Sequence, residues 1–227
     1  MLRTTICAMA AMALAVTATA GEYADVNGTF RVTVPDDWTT HTAPVAGIAL
    51  VTASPRLKET GGNCNFAVLE IEQTKSMTQA QVESEFATTF TEEAWKAEIS
   101  QIKGLKSTTV EDLGNKAQRG RKVFFVTATS EFVIGATTLA VKQLQDFHPI
   151  PGRVYVVTCT ALSAGYEQEA ANFASIMTSF EPIPYMTVSA NRTLAPVLPG
   201  QGGAMTRAAS KTAAVAAEAG AARSRMR

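Results

Sequence analysis

The sequence predicts an α+β domain in which helices pack on an antiparallel sheet. Between residues 108 and 159, strand-like segments follow one another through short turns, as an antiparallel meander requires. Two further segments repeat apolar residues at the spacing of an amphipathic helix. With 46% hydrophobic and 18% charged residues, the composition is typical of a globular protein and not of a disordered chain.

Residues 1–20 have the three parts of a secretory signal peptide. Arg3 gives a positive start, Ile6–Val16 is apolar, and the Ala-Thr-Ala motif at 18–20 has the pattern that signal peptidase cleaves, which makes Gly21 the expected mature N-terminus. The apolar run is shorter than the roughly 20 residues of a membrane span. We therefore expect a periplasmic or secreted protein with no transmembrane segment in the mature chain.

Three short strands are predicted at the start of the domain. Phe30–Val34 alternates apolar and polar residues, and the Pro-Asp-Asp sequence at 35–37 ends it with turn residues. Ile48–Ala53 is the second strand. Phe66–Ile71 is the third, and the Gly-containing segment 55–63 connects the two as a loop.

The clearest helix begins at Thr78. Thr78 and Gln81 form a capping box, in which each side chain pairs with a backbone amide of the other residue. An apolar residue at every fourth position then makes a stripe of Val82, Phe86, Phe90 and Ala94. This pattern predicts one helix that ends before Gly104.

Longer strands and a second helix complete the predicted domain. The strands are Thr108–Leu113, Gly120–Phe132, Thr137–Phe147 and Val154–Cys159, with turns near Gly114-Asn115 and Gly135. The last strand is the most apolar, so we expect it to be central. The second helix starts near Ser163 and is ended by prolines at 182 and 184. Its apolar stripe is Tyr166, Ala170, Phe173, Ile176 or Met177, and Phe180.

Cys64 and Cys159 are the two cysteines that remain once Cys7 leaves with the signal peptide. In an oxidising compartment, two such residues are most simply one disulfide, with two buried free thiols as the alternative. Strand alternation places each on an apolar face, so the two sulfurs can meet if their strands are neighbours.

Residues 187–227 predict a disordered, Ala-rich basic tail, which leaves 21–186 as the globular domain. The tail has no aromatic residue, and its six basic residues against Glu218 give it a net charge of +5. Residues 21–186 hold 13 basic and 19 acidic residues, a net charge of −6. This asymmetry indicates a polyanionic partner. One alternative function is therefore a structural tether that binds anionic envelope polymers through the tail.

The segment 30–38, Phe-x-Val-x-Val-Pro-x-x-Trp, together with the order of elements, resembles the PsbP-like fold family. In that family an early strand ends in a Val-Pro-x-x-Trp turn, and a final helix packs a phenylalanine stripe on the sheet, here Phe173 to Phe180. The resemblance covers residues 22–185. It implies an α/β/α sandwich with a non-catalytic accessory or binding role. The family's named member is an extrinsic protein of photosystem II, but nothing in this chain is specific to photosynthesis, so that role is not transferred.

Asp146 and His148 form a pair with potential for catalysis. They lie two positions apart in a predicted strand and therefore face the same side, where they would bind a metal or polarise a water. This pair supports a second alternative function, an envelope hydrolase. The ordinary interpretation is a solvated strand end.

Other charged groups have an ordinary structural interpretation beside a functional one. Asp36 and Asp37 fit a turn better than a calcium site, and Glu70 and Glu72 fit a solvated strand edge better than an acid pair. His41 lies in a predicted loop. The basic residues near one hairpin either meet a phosphate or form a charged turn; they are Arg119, Arg121 and Lys122.

We therefore predict no catalytic residue, no metal site and no cofactor, and no nucleic-acid partner. The predicted function is an exported, non-enzymatic binding or accessory protein of the cell envelope. Its partner is an envelope protein or polymer that the sequence does not identify.

Overall fold

A computed structural model describes residues 21–25, 28–42 and 47–183. The predicted signal peptide and basic tail lie outside the described residues. The strands are β1 (Gly21–Ala24), β2 (Phe30–Val34), β3 (Thr39–His41), β4 (Ile48–Ala53), β5 (Asn63–Glu70), β6 (Leu105–Gln118), β7 (Arg121–Ile134), β8 (Thr137–Ile150), β9 (Arg153–Leu162) and β10 (Glu181–Pro182). The α-helices are α1 (Leu57–Thr60), α2 (Gln79–Thr89), α3 (Glu92–Ile99) and α4 (Tyr166–Ser179).

The fold is α+β, as predicted, and its main sheet has seven strands in the order β3-β4-β5-β9-β8-β7-β6. All neighbouring strands are antiparallel, and β6 to β9 form the predicted meander. β9 lies at the centre of this sheet, as its apolar sequence predicted. A second sheet has three strands in the order β1-β2-β10.

Two hydrophobic layers cover the two faces of the main sheet. On one face, the Phe173 stripe of α4 and the apolar residues of β2 pack against β5 and β9. On the other face, α2 and α3 pack Phe86, Trp95 and Ile99 against β7, β8 and β9. The arrangement is the α/β/α sandwich that the sequence resemblance implied. The predicted stripe of α4 is buried, and both Ile176 and Met177 belong to it.

The helix predicted from Thr78 is two helices. The capping box of Thr78 and Gln81 is present and begins α2. The backbone leaves the helical conformation at Phe90, and the Thr91 side chain then accepts a hydrogen bond from the amide of Ala94 and caps α3. A second N-cap residue inside an otherwise helical stretch is the sequence signal for this break, because threonine competes for the backbone at such positions.

The turn predicted at Gly114-Asn115 is wrong, because β6 continues through it to Gln118. Gly114 faces Phe125 across the β6–β7 ladder, and a Cβ atom at Gly114 would lie 3.3 Å from the Phe125 ring. The glycine therefore makes room for an aromatic ring and does not mark a turn. The chain reverses instead at Arg119 and Gly120, where φ is 51° and 74°.

The carboxylate of Glu169 joins α4 to α1 inside the protein. Its side chain is fully buried and accepts hydrogen bonds from Ser54 Oγ and Thr60 Oγ1, both at 2.8 Å, and from Arg56 Nε at 3.2 Å. Burial alone would raise the pKa of Glu169, but the hydrogen bonds and the charge of Arg56 outweigh it, so the pKa lies below its ordinary value. The ionised carboxylate is thus the form that the fold stabilises.

We expect Glu169→Gln to lower the free energy of unfolding by about 2–4 kcal/mol, because the new amide NH2 would face other hydrogen-bond donors and Arg56 would lose its ion pair. Part of the wild-type stability should be lost as the pH falls from the unfolded-state pKa through the lower folded-state pKa. Urea denaturation at pH 7 and pH 4 measures both effects. Glu167→Gln, at an exposed position on the same helix, is the control. Equal midpoints for the two variants would contradict this role of Glu169.

Candidate functional site

Cys64 and Cys159 form a disulfide between β5 and β9. The two residues are direct partners in the antiparallel register, and their Cα atoms are 4.0 Å apart. Both are fully buried in the layer under α4. The pairing predicted from the sequence is therefore present in the structure.

Asp146 does not occupy the solvated strand end that the sequence suggested. Only 2% of the residue is exposed, and its Oδ2 atom lies 2.7 Å from Nζ of Lys116 on β6. Burial raises the pKa of Asp146, and the charge and hydrogen bond of Lys116 offset only part of that effect. The Lys116 Nζ atom also lies 5.6 Å from the centre of the Phe125 ring, so the ammonium group makes a cation–π contact in addition to its ion pair with Asp146.

His148 lies on the same face of β8 but engages different neighbours. It is 4% exposed, and its ring centre lies 4.7 Å from that of Phe180. Burial lowers the pKa of His148 to about 3, and the charges of Lys116 and Arg121 add to the effect. A histidine with this pKa is a poor general base near neutral pH.

Arg119 and Arg121 of the β6–β7 turn contact the segment that follows α4, whereas Lys122 is exposed. Gln118 Nε2 donates hydrogen bonds to the carbonyls of Met177, Thr178 and Phe180 at the end of α4. Arg119 binds Glu181 at 2.7 Å, and Arg121 donates to the carbonyl of Pro182 at 3.1 Å. This turn therefore caps the C-terminal end of α4 and holds β10, where positive charge is favourable to the helix dipole.

The structure shows where the two acidic pairs that the sequence suggested lie. Asp36 and Asp37 are exposed in the turn after β2, as expected for turn residues. Glu70 and Glu72 do not share a strand face, because β5 ends at Glu70 and a 3-10 turn begins at Glu72. His41 is exposed at the end of β3.

An open pocket of about 260 Å³ lies where the ends of several strands meet. Asp25 follows β1, Thr29 precedes β2, and the start of β4, the end of β5 and the start of β9 provide the remaining walls. The residues that line it are Asp25, Thr29, Gly47, Ile48, Ala49, Val68, Glu70 and Arg153.

The lining of this pocket contains both charged and apolar residues. Arg153 Nε binds Glu70 Oε1 at 2.6 Å, and the two residues are direct partners across β5 and β9. Asp25, which is 7% exposed, accepts a hydrogen bond from Thr29 Oγ1 at 2.8 Å. A shift in the β4–β5 register between Ile48 and Leu50 lies at the aliphatic wall. Bulges of this kind often accompany binding sites.

Sequence reasoning missed this pocket. Its residues come from five separate segments, and a register shift cannot be read from a single strand. The one available signal was a charge of each sign at opposite strand ends, Glu70 and Arg153, which become visible as a pair only when β5 is known to neighbour β9.

Two features of the described residues bear on other kinds of site. Within residues 21–25, 28–42 and 47–183, no group of three or more His, Cys, Asp or Glu side chains is arranged to hold a metal ion. No helix in these ranges is both long and apolar enough to cross a membrane.

Known proteins resemble this chain in structure and not in sequence. No protein-family model and no curated protein sequence matches it. The cyanobacterial PsbP protein CyanoP from Synechocystis sp. PCC 6803 superposes with a TM-score of 0.53 and 14% identity, over 74% of this chain and 95% of that one. The cell-envelope biogenesis protein LpqN of Mycobacterium tuberculosis gives a TM-score of 0.45 and 13% identity, over 72% and 90% of the two chains.

The Ran-binding protein Mog1p of Saccharomyces cerevisiae gives a TM-score of 0.45 at 12% identity, over 72% of this chain and 95% of that one. At 14% identity, the match to CyanoP bears on the fold alone. The similarity to CyanoP agrees with the β2 segment and the α4 stripe from which the resemblance was inferred. The chain therefore has a PsbP-like fold.

Proposed function

We propose that this chain is an exported, non-enzymatic binding or accessory protein of the cell envelope. The observation that carries the proposal is the open pocket lined by Asp25, Glu70 and Arg153. Its aliphatic wall and its few charged groups are typical of a recognition site, which needs shape and charge complementarity. The partner is a protein or another component of the envelope.

Export is supported by the disulfide and by the sequence of residues 1–20. A disulfide buried between β5 and β9 persists in an oxidising compartment, whereas the cytosol keeps most thiols reduced. The three-part pattern before Gly21 is that of a secretory signal peptide, which directs a chain to such a compartment.

The contacts of Asp146 and His148 favour binding over hydrolysis. Asp146 is paired with Lys116, and His148 packs against Phe180 with a pKa of about 3. A hydrolase built on this pair would need both groups to meet one substrate atom. If an envelope hydrolase activity is nevertheless found, we expect His148→Ala to leave its rate unchanged.

The binding proposal is tested by crosslinking the tagged full-length chain in the intact envelope of its source organism and then purifying it. We expect a discrete partner to be retained by wild type, and its yield to fall at least about tenfold for Ala49→Leu, which fills the pocket. Glu131→Gln, on β7, which is separated from β5 by two strands of the main sheet, is the matched control and should retain the partner. Equal retention by all variants, or turnover of an envelope substrate, would argue against the proposal.

The basic segment 187–227 favours a second candidate, a tether to anionic envelope polymers, through its net charge of +5. Contacts of this kind weaken with salt, because the Debye length falls from about 10 Å at 0.1 M to about 3 Å at 1 M. We expect co-sedimentation with anionic polymer to disappear at 1 M salt and on deletion of 187–227. Association that survives either change would rule out the tether.

A further inference from the structure

We propose that a small pocket at the start of β7 binds a single carboxylate group between Arg121 and His148. The pocket has a volume of about 50 Å³ and lies where the β6–β7 turn meets the end of α4 and β10. It shares no lining residue with the pocket beside Asp25, so this inference goes beyond the proposed function and does not depend on it. The polar residues that line it are Gln118, Arg119, Arg121, His148 and Glu181.

His148 gives this pocket a buried polar group that lacks a partner. The residue is 4% exposed, and its Nε2 atom is buried with no hydrogen-bond partner among the described residues. A buried polar atom in this condition costs free energy unless a ligand or a water meets it. The imidazole is neutral at pH 7, because burial and the charges of Lys116 and Arg121 lower its pKa to about 3. A neutral imidazole carries one N–H, and an acceptor beside Nε2 selects the tautomer with the proton on that atom.

Arg121 gives the pocket a positive charge. Its Nη1 atom donates to the carbonyl of Pro182 at 3.1 Å, which uses one of the five N–H donors of a guanidinium, and no carboxylate of the described residues forms an ion pair with it. The other arginine of the lining, Arg119, pairs with Glu181 at 2.7 Å. Two arginines against one glutamate leave the lining with a net charge of +1, which favours an anion over a cation.

The Arg119–Glu181 pair does not block the entry of a small ligand. The two side chains are 52% and 43% exposed, so they form the outer side of the pocket. Exposed side chains change rotamer within nanoseconds. A ligand that displaces either of them slightly can therefore reach the inner side of the pocket, where His148 lies.

The charge of the whole domain does not reverse this preference. Residues 21–186 carry a net charge of −6, which repels anions at long range. This repulsion is screened beyond about 8 Å at physiological ionic strength, whereas Arg121 is close enough to lower the pKa of His148. Lys116 acts on His148 in the same direction, but its charge is paired with Asp146. Arg121 therefore provides most of the attraction for an anion.

The size of the pocket selects a carboxylate among anions. A volume of about 50 Å³ is several times the roughly 10–15 Å³ that one water molecule requires, which suits a head group of a few heavy atoms. A carboxylate has two oxygens, so one can accept from Nε2 of His148 while the other accepts from the guanidinium of Arg121. The phosphate that the sequence suggested for this turn is larger and would bring more negative charge beside Glu181.

The test is a titration of the isotope-labelled full-length chain with acetate at pH 7, at an ionic strength held constant with a bulky sulfonate buffer. NMR follows the His148 imidazole and the backbone amides. We expect acetate to shift the Nε2 resonance of His148 and the amides of 118–121 and 180–181 until the site is saturated. Acetamide has the shape of acetate without its charge, and it should bind more weakly, as should methylammonium, chloride and inorganic phosphate.

Three variants assign the binding to named groups. Arg121→Gln removes the charge, and His148→Phe keeps an aromatic ring but removes the N–H, so we expect each to weaken acetate binding at least about tenfold. Lys122→Gln is the matched control, because it removes the same charge from the next residue of β7, which is exposed and does not line the pocket. It should leave the affinity unchanged. Thermal unfolding shows whether each variant is folded.

The same titration separates two sources of the carboxylate. Tighter binding of Nα-acetylglycine than of acetate assigns the group to the C-terminus of a polypeptide, and the reverse order assigns it to a free small acid. The proposal is overturned if neither compound gives a saturable shift, or if any of the other four probes binds as tightly as acetate. It is also overturned if a folded Arg121→Gln or His148→Phe protein binds acetate as wild type does. The order of the probes on wild type decides the question even where a variant does not fold.

Discussion

The double substitution Cys64→Ala and Cys159→Ala is expected to lower the free energy of unfolding by roughly 4–5 kcal/mol. The bridge joins residues 95 positions apart, and in the chain-entropy model the unfolded state loses most freedom when a long loop is closed. Alanine is the right replacement because both positions are fully buried, where an unpaired hydroxyl would add its own cost. Guanidinium denaturation of the exported wild type and the double variant measures the difference.

Reduction provides the control for this prediction. Because the bridge is buried, we expect dithiothreitol to leave native protein oxidised and to act only once denaturant exposes the sulfurs. Reduced wild type should then unfold close to the midpoint of the double variant. Two freely alkylatable thiols in native exported protein, or equal midpoints for the oxidised protein and the double variant, would contradict the predicted role.

Acidification is expected to destabilise the protein through His148. The folded-state pKa of about 3 lies below the ordinary value of 6.5, so below pH 6.5 the unfolded chain binds a proton that the folded chain does not. This part of the stability is complete above pH 6.5 and is lost as the pH falls toward 3. By pH 4 the loss amounts to about 3 kcal/mol. Burial is the main cause of the low pKa of His148, and the charges of Lys116 and Arg121 lower it further. The other charged residues nearby are Arg119 and Glu181, which line the same small pocket, and Asp146, which pairs with Lys116.

The measurement is urea denaturation at pH 7, 5 and 4 for wild type, His148→Gln and His41→Gln. Carboxylates such as Glu169 contribute to the pH dependence of all three proteins, so the informative quantity is the difference between variants. We expect His148→Gln to lose about 3 kcal/mol less than wild type between pH 7 and pH 4. His41 is exposed, and its variant should follow wild type. Parallel pH profiles for all three would contradict the burial of a neutral His148.

Local chemistry explains why much of the fold was predictable from the sequence. The capping box at Thr78, the alternation in β2 and the apolar stripe of α4 are all set by residues close together in the chain. The Cys64–Cys159 pairing was predictable because only two cysteines lie outside the predicted signal peptide. In each case a single rule of local structure or covalent chemistry was enough.

The rest depended on contacts between distant parts of the chain. Asp146 and His148 were interpreted as residues of a solvated strand end. In the structure, β6 brings Lys116 to Asp146, and the end of α4 brings Phe180 to His148. The basic residues near Arg119 were interpreted as a charged turn or a phosphate contact, yet this turn caps a helix some 60 residues further along. The pocket could not be predicted from the sequence because it forms only where five separate segments meet.

The central proposal is that this protein binds a partner in the cell envelope through the pocket beside Asp25. The most direct test places a photo-crosslinking amino acid at position 70, on the pocket rim, and at position 131 as a control of similar side-chain exposure, 49% against 41%. After irradiation of the intact envelope, we expect position 70 to give a discrete adduct that Ala49→Leu removes, and position 131 to give none. No adduct at position 70, or the same adduct from both positions, would contradict the claim.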